Sequence, residues 1–137
     1  MKKALITGAN KGIGLEVAKQ LLQKGYYVYL GCRDLKNGKE AVEKLKNEGL
    51  ENVELLAIDV ANQHSVNNAR IELGKKTQVL DVLINNAGIL RDGLLLKYKD
   101  GELQSKMSLA QFQSVIDVNL TGVFLCGREA AAVMVKR

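Results

Sequence analysis

The glycine-rich segment Thr7–Gly14 limits the folds open to this chain more than any other stretch of it. Its sequence is TGANKGIG, and it directly follows the short apolar run Ala4–Ile6. Apolar residues then recur at helical spacing, at Ile13, Val17 and Leu21. A strand, a glycine turn and a helix in this order are the context that a phosphate-binding turn requires.

The three glycines of this segment are spaced for a backbone that lies close to an anion. Gly8 can adopt backbone angles closed to other residues, so the chain can turn sharply off the strand. Gly12 lets the backbone approach a pyrophosphate, and Gly14 lets the helix pack tightly on the strand. The start of the helix then offers unpaired N–H groups and the positive end of its dipole. The alternative is a βα turn that is only rich in glycine.

The spacing Thr-Gly-x-x-x-Gly-x-Gly resembles the short-chain dehydrogenase/reductase family, and three later markers support this resemblance. Asp59 and Val60 end one apolar run, Asn85–Gly88 ends another, and Asn119 follows. The four markers occur in the order that the family shows. The resemblance covers residues 1 to about 137.

The predicted fold is α/β, a Rossmann-type doubly wound parallel sheet in strand order 3-2-1-4 with helices on both faces, in a single NAD(P)-binding domain that spans residues 1–137. The handedness of parallel crossovers makes this nearly the only topology available. By resemblance the chain stops before a fifth strand, so the sheet is truncated and strand four has an open edge that should attract a partner. The predicted strands are Lys2–Thr7, Tyr26–Gly31, Val53–Ile58 and Val79–Ile84, and the predicted helices are Gly12–Lys24, Leu35–Glu48, Asn62–Lys75, Leu109–Asn119 and Thr121–Lys136.

The end of the second predicted strand bears on the choice between NAD and NADP. An acidic side chain here would hold the ribose 2′-OH of NAD, whereas an arginine accommodates the 2′-phosphate of NADP. The resemblance places the acidic residue of NAD-using members at Cys32, and Arg33 follows it. Arg33 together with Lys11 is similar to the NADP-preferring branch, which includes carbonyl reductases, so NADP is expected ahead of NAD. Two exposed surface cations are the alternative, and Asp34 is expected to cap the next helix.

The resemblance also implies which other residues contact the cofactor. Asp59 would hydrogen-bond the adenine ring, and the alternative for this residue is a helix cap or a turn aspartate. The asparagines before Gly88 would partly brace the sheet, and Ala87 and Gly88 are small enough for the backbone to pass the adenosine. The full set expected at the cofactor is Thr7, Gly8, Asn10, Lys11, Gly12, Ile13, Gly14, Arg33, Asp59, Val60, Asn86, Ala87 and Gly88.

Most of the family's catalytic group is absent from this sequence. The family uses a tyrosine with a lysine four residues later and a serine that ends the fifth strand. Tyr98 is followed at that spacing by Glu102 and Tyr29 by Arg33. Only Asn119 has a matching position, and its role in the family is to hold a water and the lysine in a proton relay.

The resemblance therefore implies the NADP(H)-binding portion of a short-chain oxidoreductase. When complete, such an enzyme transfers hydride between NADPH and a small carbonyl or alcohol substrate. The alternatives are a non-catalytic dinucleotide-binding module, or a truncated or chimeric chain without activity of its own. The substrate is not specified, because its pocket is built mostly by the absent half.

The composition excludes few classes of protein, but it bears on whether nucleic acid, a membrane or a metal ion is a partner. The formal net charge is +5, yet the basic residues are dispersed among Asp and Glu, which favours a solvated surface over a nucleic-acid site. No apolar run approaches the roughly 20 residues of a membrane span. Cys32 and Cys126 are isolated thiols without metal-ligand spacing, which predicts no metal site and a reducing cytoplasm. His64 is expected to be solvated at a helix start.

The segment Ile89–Lys106 has the weakest sequence patterns for secondary structure. Arg91–Gly93 and Lys99–Gly101 are both typical of turns. The polar stretch Gly101–Lys106 is interpreted as a surface loop, with a lid over the ligand side of the sheet as the alternative.

The C-terminal third is expected to be helical. Ser108 should cap the first of its helices, with Phe112, Val115 and Ile116 on the buried side. In the family the following helix often forms an oligomer interface. A homo-oligomer is therefore expected, through the helices at 109–136 or through the open edge of strand four.

Overall fold

Four parallel strands form the central sheet of the computed structural model, which describes residues 1–90 and 93–136. They are β1 (Lys3–Ile6), β2 (Tyr27–Cys32), β3 (Val53–Ala57) and β4 (Val82–Ile84). Their order is β3-β2-β1-β4, with every neighbouring pair parallel. The predicted α/β fold and strand order are confirmed.

Five α-helices and one hairpin are the other main elements of the described residues. The helices are α1 (Gly12–Gln23), α2 (Leu35–Asn47), α3 (Gln63–Lys76), α4 (Leu109–Ile116) and α5 (Gly122–Met134). The hairpin consists of β5 (Leu96–Lys99) and β6 (Glu102–Lys106). A π-helical turn, Asp117–Thr121, joins α4 to α5.

The sheet is covered on both faces because successive residues of each strand point to opposite sides. In β1, Ile6 packs with α1 and α2 in one cluster, which includes Ala18 and Leu45. The neighbouring Leu5 packs with α3 and α5 in a second cluster, which includes Val66. The predicted helices on both faces are therefore present.

Short-range capping chemistry sets the ends of several helices. Gly25 follows α1 with φ +80°, a conformation that favours glycine. The Asp34 carboxylate accepts from the Asn37 backbone N–H at 3.1 Å, as expected for a cap of α2. The Ser108 hydroxyl accepts from the Gln111 N–H, and the Gln111 side chain accepts from the Ser108 N–H, which completes a capping box at α4.

The expected buried side of α4 is wrong in part. Phe112 is 54% exposed, and α4 contains no buried residue. Val115 and Ile116 are only half-buried. An apolar stripe shows which side of a helix can be covered, but it does not show whether another element of the chain covers it.

The interpretation of the segment 101–106 as a loop is also wrong. Leu96, Tyr98 and Leu103 belong to an antiparallel hairpin, and its turn contains Asp100 at φ 53° and Gly101 at φ 78°. The turn at 99–101 is thus confirmed, whereas the alternation of apolar residues and lysines before it was the missed strand signal. The expected turn at Arg91–Gly93 lies mostly outside the described residues.

The continuous helical segment Leu109–Met134 is long and apolar enough to cross a membrane by length and composition. Its most apolar window has a mean hydropathy of 1.2, and 17% of that window is buried. Length and composition alone, in a single helix, are weak evidence for a membrane span.

Gly122 offers a test of the packing between α5 and the end of β3. A Cβ on Gly122 would lie 2.9 Å from Cγ2 of Val60, whereas a Cβ on Gly127 in the same helix meets nothing within 4 Å. We expect Gly122→Ala to lower the free energy of unfolding by about 1–3 kcal/mol, since the helix must shift. The matched control Gly127→Ala should raise it by about 0.5–1 kcal/mol through helix propensity. Chemical denaturation measures both, and equal effects of the two substitutions would contradict this packing.

Candidate dinucleotide-binding site

The turn after β1 has the backbone that its glycines predict. Gly8 adopts φ +63° and Gly12 adopts φ +57°, both in the left-handed region. A Cβ on Gly8 would lie 2.8 Å from Cα of Ala87, so this position permits two chain segments to touch. A Cβ on Gly12 would meet nothing within 4 Å, so the space in front of it is open to a ligand.

Gly14 permits a closer approach than the sequence indicates. A Cβ there would lie 2.5 Å from Nδ2 of Asn86 and 2.6 Å from the carbonyl oxygen of Gly8. The first turn of α1 therefore packs on the glycine turn and on the segment after β4 at once. Sequence reasoning expected only the contact between helix and strand.

Thr7 joins the turn after β1 to the turn after β4. Its side chain is buried, and its Oγ1 accepts from the backbone N–H groups of Asn86 and Ala87, each at 3.1 Å. In return, Nδ2 of Asn86 donates to the carbonyl oxygens of Thr7 and Gly8, also at 3.1 Å. Four hydrogen bonds thus hold together residues that are about eighty positions apart in sequence.

The end of β2 presents a cation without a neighbouring free carboxylate. Cys32 is buried and donates its thiol to the carbonyl oxygen of Asp34 at 3.0 Å. Burial raises the pKa of the Cys32 thiol, so this group stays uncharged. The Asp34 carboxylate is used by the Asn37 backbone and side chain at the start of α2. The exposed Arg33 between them therefore keeps its positive charge facing solvent.

Lys11 provides a second exposed cation at the same edge of the sheet. It is the N-cap residue of α1, with an extended backbone at φ −158° and no side-chain capping bond. Among the described residues, neither Lys11 nor Arg33 takes part in a salt bridge. The carboxyl ends of neighbouring parallel strands lie at one edge, which places both cations beside the glycine turn.

Asp59 and Val60 follow β3 and have local roles of their own. Oδ1 of Asp59 accepts from the Ala61 N–H at 3.1 Å, and its backbone N–H donates to Oγ of Ser65 at 2.8 Å. The Val60 side chain is buried in the core. The turn-aspartate alternative thus describes part of what Asp59 does, and its contact with adenine stays a prediction.

Asn119 lies in the π-helical turn and binds the chain that leaves β4. Its Oδ1 accepts from the Ile89 N–H at 2.8 Å, and its Nδ2 donates to the Ile89 carbonyl oxygen at 2.9 Å. A Cβ on Gly88 would lie 3.3 Å from the same Oδ1. This clamp on Ile89 was not predicted from sequence, because the two residues are thirty positions apart.

The remaining predicted residues also follow the carboxyl ends of the strands. Asn10 is half-buried, Ile13 is 77% exposed, and Gly88 is exposed. His64, at the start of α3, is exposed as expected. Within residues 1–90 and 93–136, no group of three His, Cys, Asp or Glu side chains is placed to hold a metal ion.

This arrangement has the chemistry of an anion-binding edge. It combines an open glycine turn, the start of a helix and two free cations. None of the four tyrosines has a lysine four residues later, so the Tyr-x-x-x-Lys pair does not occur in this sequence.

Comparison with known proteins identifies the family. The short chain dehydrogenase profile matches residues 2–137. The chain is 39% identical to the 3-oxoacyl-(acyl-carrier-protein) reductase FabG of Staphylococcus aureus over 137 residues, which are 99% of this chain and 52% of that protein. It is 46% identical over 90 residues to salutaridine reductase of Papaver bracteatum, which are 65% of this chain and 29% of that protein.

Solved structures show the same fold. ElxO with NADP bound superposes with a TM-score of 0.83 at 33% identity, over 98% of this chain and 51% of that chain. The NADP complex of RhlG from Pseudomonas aeruginosa gives 0.83 at 25% identity, over 96% and 47% of the two chains. The chain spans about half the length of FabG, at 52%. By its profile match, its relatives and its fold, the chain belongs to the short chain dehydrogenase family.

Proposed function

We propose that this chain is the NADP(H)-binding portion of an oxidoreductase that, when complete, transfers hydride between NADPH and a carbonyl or alcohol substrate. The observation that carries this proposal is the open glycine turn at Gly12, beside two exposed cations, Lys11 and Arg33, that have no carboxylate partner among the described residues. ElxO and RhlG, which share the fold, were both solved with NADP. NADP is therefore proposed ahead of NAD.

Each residue of the site has a proposed part in holding this cofactor. The backbone from Gly8 through Asn10 and Gly12 to Ile13 lies against the pyrophosphate, and Gly14 keeps the helix start in place. Arg33 and Lys11 bind the 2′-phosphate, for which a planar guanidinium is well suited. The nicotinamide supplies the hydride when the cofactor is bound.

The end of β3 and the end of β4 enclose the adenosine side in this proposal. Asp59 and Val60 contact the adenine, and Ala87 and Gly88 pass beside the adenosine. Thr7 and Asn86 act mainly by holding the two turns together, as the four hydrogen bonds that join these turns support.

Asn119 is proposed to serve the proton relay of the complete enzyme. In this chain both polar atoms of its side chain bind the Ile89 backbone, which positions the segment after Gly88. The same observation favours a second candidate function, a non-catalytic dinucleotide-binding module, in which Asn119 has a structural role only. A readout of hydride transfer by a longer protein that includes this chain separates the two.

The relatives support a proposal for the substrate class, and the cysteines support one for the cellular location. FabG and salutaridine reductase are both reductases by name, which supports a carbonyl substrate. Cys32 and Cys126 are buried free thiols, which supports a reducing cytoplasm.

A charge reversal at Arg33 tests the proposed cofactor preference. We expect Arg33→Asp to weaken NADPH binding at least about tenfold and to leave NADH binding equal or stronger, because a carboxylate repels the 2′-phosphate and accepts from the ribose hydroxyls. Calorimetric titration with both cofactors measures this. The control Lys46→Asp makes the same charge change at the exposed end of α2. An unchanged ratio of the two affinities in Arg33→Asp would remove Arg33 from the site.

A methyl group at Gly14 tests the turn itself. We expect Gly14→Ala to weaken binding of NADPH and NADH alike by at least about tenfold, since the new Cβ displaces Asn86 or the Gly8 carbonyl. The control Gly74→Ala adds the same group in α3, where a Cβ meets nothing within 4 Å. Circular dichroism checks folding, and normal binding by folded Gly14→Ala would defeat the assignment.

The exposed apolar side chains of the C-terminal helices support a homo-oligomer. Leu109, Phe112 and Phe124 are 76%, 54% and 61% exposed. We expect sedimentation velocity to show a dimer or larger species, and Phe112→Glu with Phe124→Glu to dissociate it, because charge at an apolar contact is strongly disfavoured.

The control for this experiment is Leu35→Glu, at an exposed apolar residue of α2. An oligomer that survives the double substitution points to the open edge of β4. A monomeric unaltered chain would contradict both routes.

A further inference from the structure

A cavity of about 580 Å³ lies between α3, α5 and the sheet, away from the proposed cofactor edge. Leu5 and Leu56 of the sheet form its floor, Ala69 and Leu73 of α3 form one wall, and Ala130 of α5 faces them. The space is partly open to solvent, and aliphatic side chains make up most of its lining.

Small side chains at facing positions create this space. Ala69 and Ala130 are 3% and 9% exposed, and Cys126 beside Ala130 is 5% exposed. Burial raises the pKa of the Cys126 thiol to about 11, so this group adds no charge to the wall. A site of a few hundred cubic ångströms with an apolar floor is of the kind that holds small organic ligands.

The charged side chains at the mouth of the cavity are paired, hydrogen-bonded or exposed. Arg70 of α3 pairs with Glu129 of α5 at 3.3 Å. Two further cations lie there among the described residues. Lys136 is exposed and follows the end of α5, and Nζ of Lys3 donates to Oγ1 of Thr77 at 2.7 Å. Solvent and these partners weaken the attraction of the mouth for a charged head group.

The cavity is distinct from the cofactor site. It is lined by Leu80, which precedes β4, and by Thr77, which follows α3, whereas the glycine turn and Arg33 follow the opposite, carboxyl ends of their strands. A ligand there leaves the proposed NADP(H) site open.

We propose that this cavity, formed by the α3 wall, the α5 wall and the apolar floor, binds a small uncharged apolar molecule, such as an aliphatic alcohol or ketone. The apolar body lies on Leu5 and Leu56, and the single polar end stays at the mouth near Thr77. Burial of apolar surface drives the binding, because a cavity lined by aliphatic side chains holds water poorly.

Titration of the 137-residue chain with 1-octanol, followed by amide NMR, tests this proposal. We expect saturable shifts in α3 and α5 around Ala69 and Ala130, with little change around Gly8. Octanoate and octylammonium should bind no more tightly than octanol, because a charge held at the exposed mouth gains little from the charges nearby. Absence of saturable shifts in α3 and α5, or tighter binding of either charged compound, would overturn the proposal.

A filled cavity provides the matched variant. Ala130→Phe places a ring in the space and should weaken octanol binding at least about tenfold, whereas Ala132→Phe, at an exposed position of the same helix, should leave it unchanged. Unweakened octanol binding by folded Ala130→Phe would contradict the location.

If Ala130→Phe does not fold, protection of thiols in the unaltered chain gives a second readout. Octanol should slow modification of Cys126 by methyl methanethiosulfonate and leave the rate at Cys32, in the cluster on the opposite face, unchanged. Equal rates at Cys126 with and without octanol would overturn the proposal. NADPH titration is independent of both readouts, so this proposal and the proposed function fail separately.

Discussion

The geometry of the site depends on the hydrogen bonds that the Thr7 hydroxyl accepts. This hydroxyl is buried at the carboxyl end of β1 and accepts two backbone N–H groups from the segment after β4. Because Asn86 returns two hydrogen bonds to the β1 turn, each segment fixes the position of the other. Gly14 then fits only as glycine, since Asn86 and Gly8 occupy the space of its Cβ.

The local structure at the end of β2 and the start of α2 also determines which charges at the site are free. Asp34 would oppose an anion if it faced the turn, but its carboxylate caps α2. Cys32 occupies the position where the family resemblance places an acidic residue, and burial keeps its thiol neutral by raising its pKa. Arg33 is left as the exposed charge. The proposed preference for NADP thus depends on the hydrogen bonding of the Asp34 carboxylate at the start of α2, as well as on the cations Arg33 and Lys11.

Features with short-range causes could be predicted from the sequence. The strand order, the positive φ of Gly8 and the caps at Asp34 and Ser108 each depend on neighbouring residues or on general rules for parallel sheets. Features that depend on contacts across the chain could not. The Thr7–Asn86 hydrogen bonds and the clamp of Asn119 on Ile89 join residues far apart in sequence.

The wrong predictions likewise concern features that local sequence does not determine. The side of α4 that carries Phe112 has the pattern of a buried face, but no pattern within α4 shows whether another element covers it. The hairpin at Leu96–Lys106 was missed although Leu96–Lys99 alternates apolar residues with lysines, because both of its strands are short and exposed. The cavity between α3 and α5 arises from small residues that meet only in the folded chain.

The proposed NADP(H) site consists of the turns after β1, β2 and β4. The most direct measurement is a titration of the ¹⁵N-labelled chain with NADPH and, separately, with NADH, following the amide signals of Gly12, Arg33 and Ala87. We expect all three signals to shift together on one saturation curve, with NADPH saturating at a lower concentration than NADH. Signals that stay in place while the chain is folded, or a midpoint that is the same for both cofactors, would contradict it.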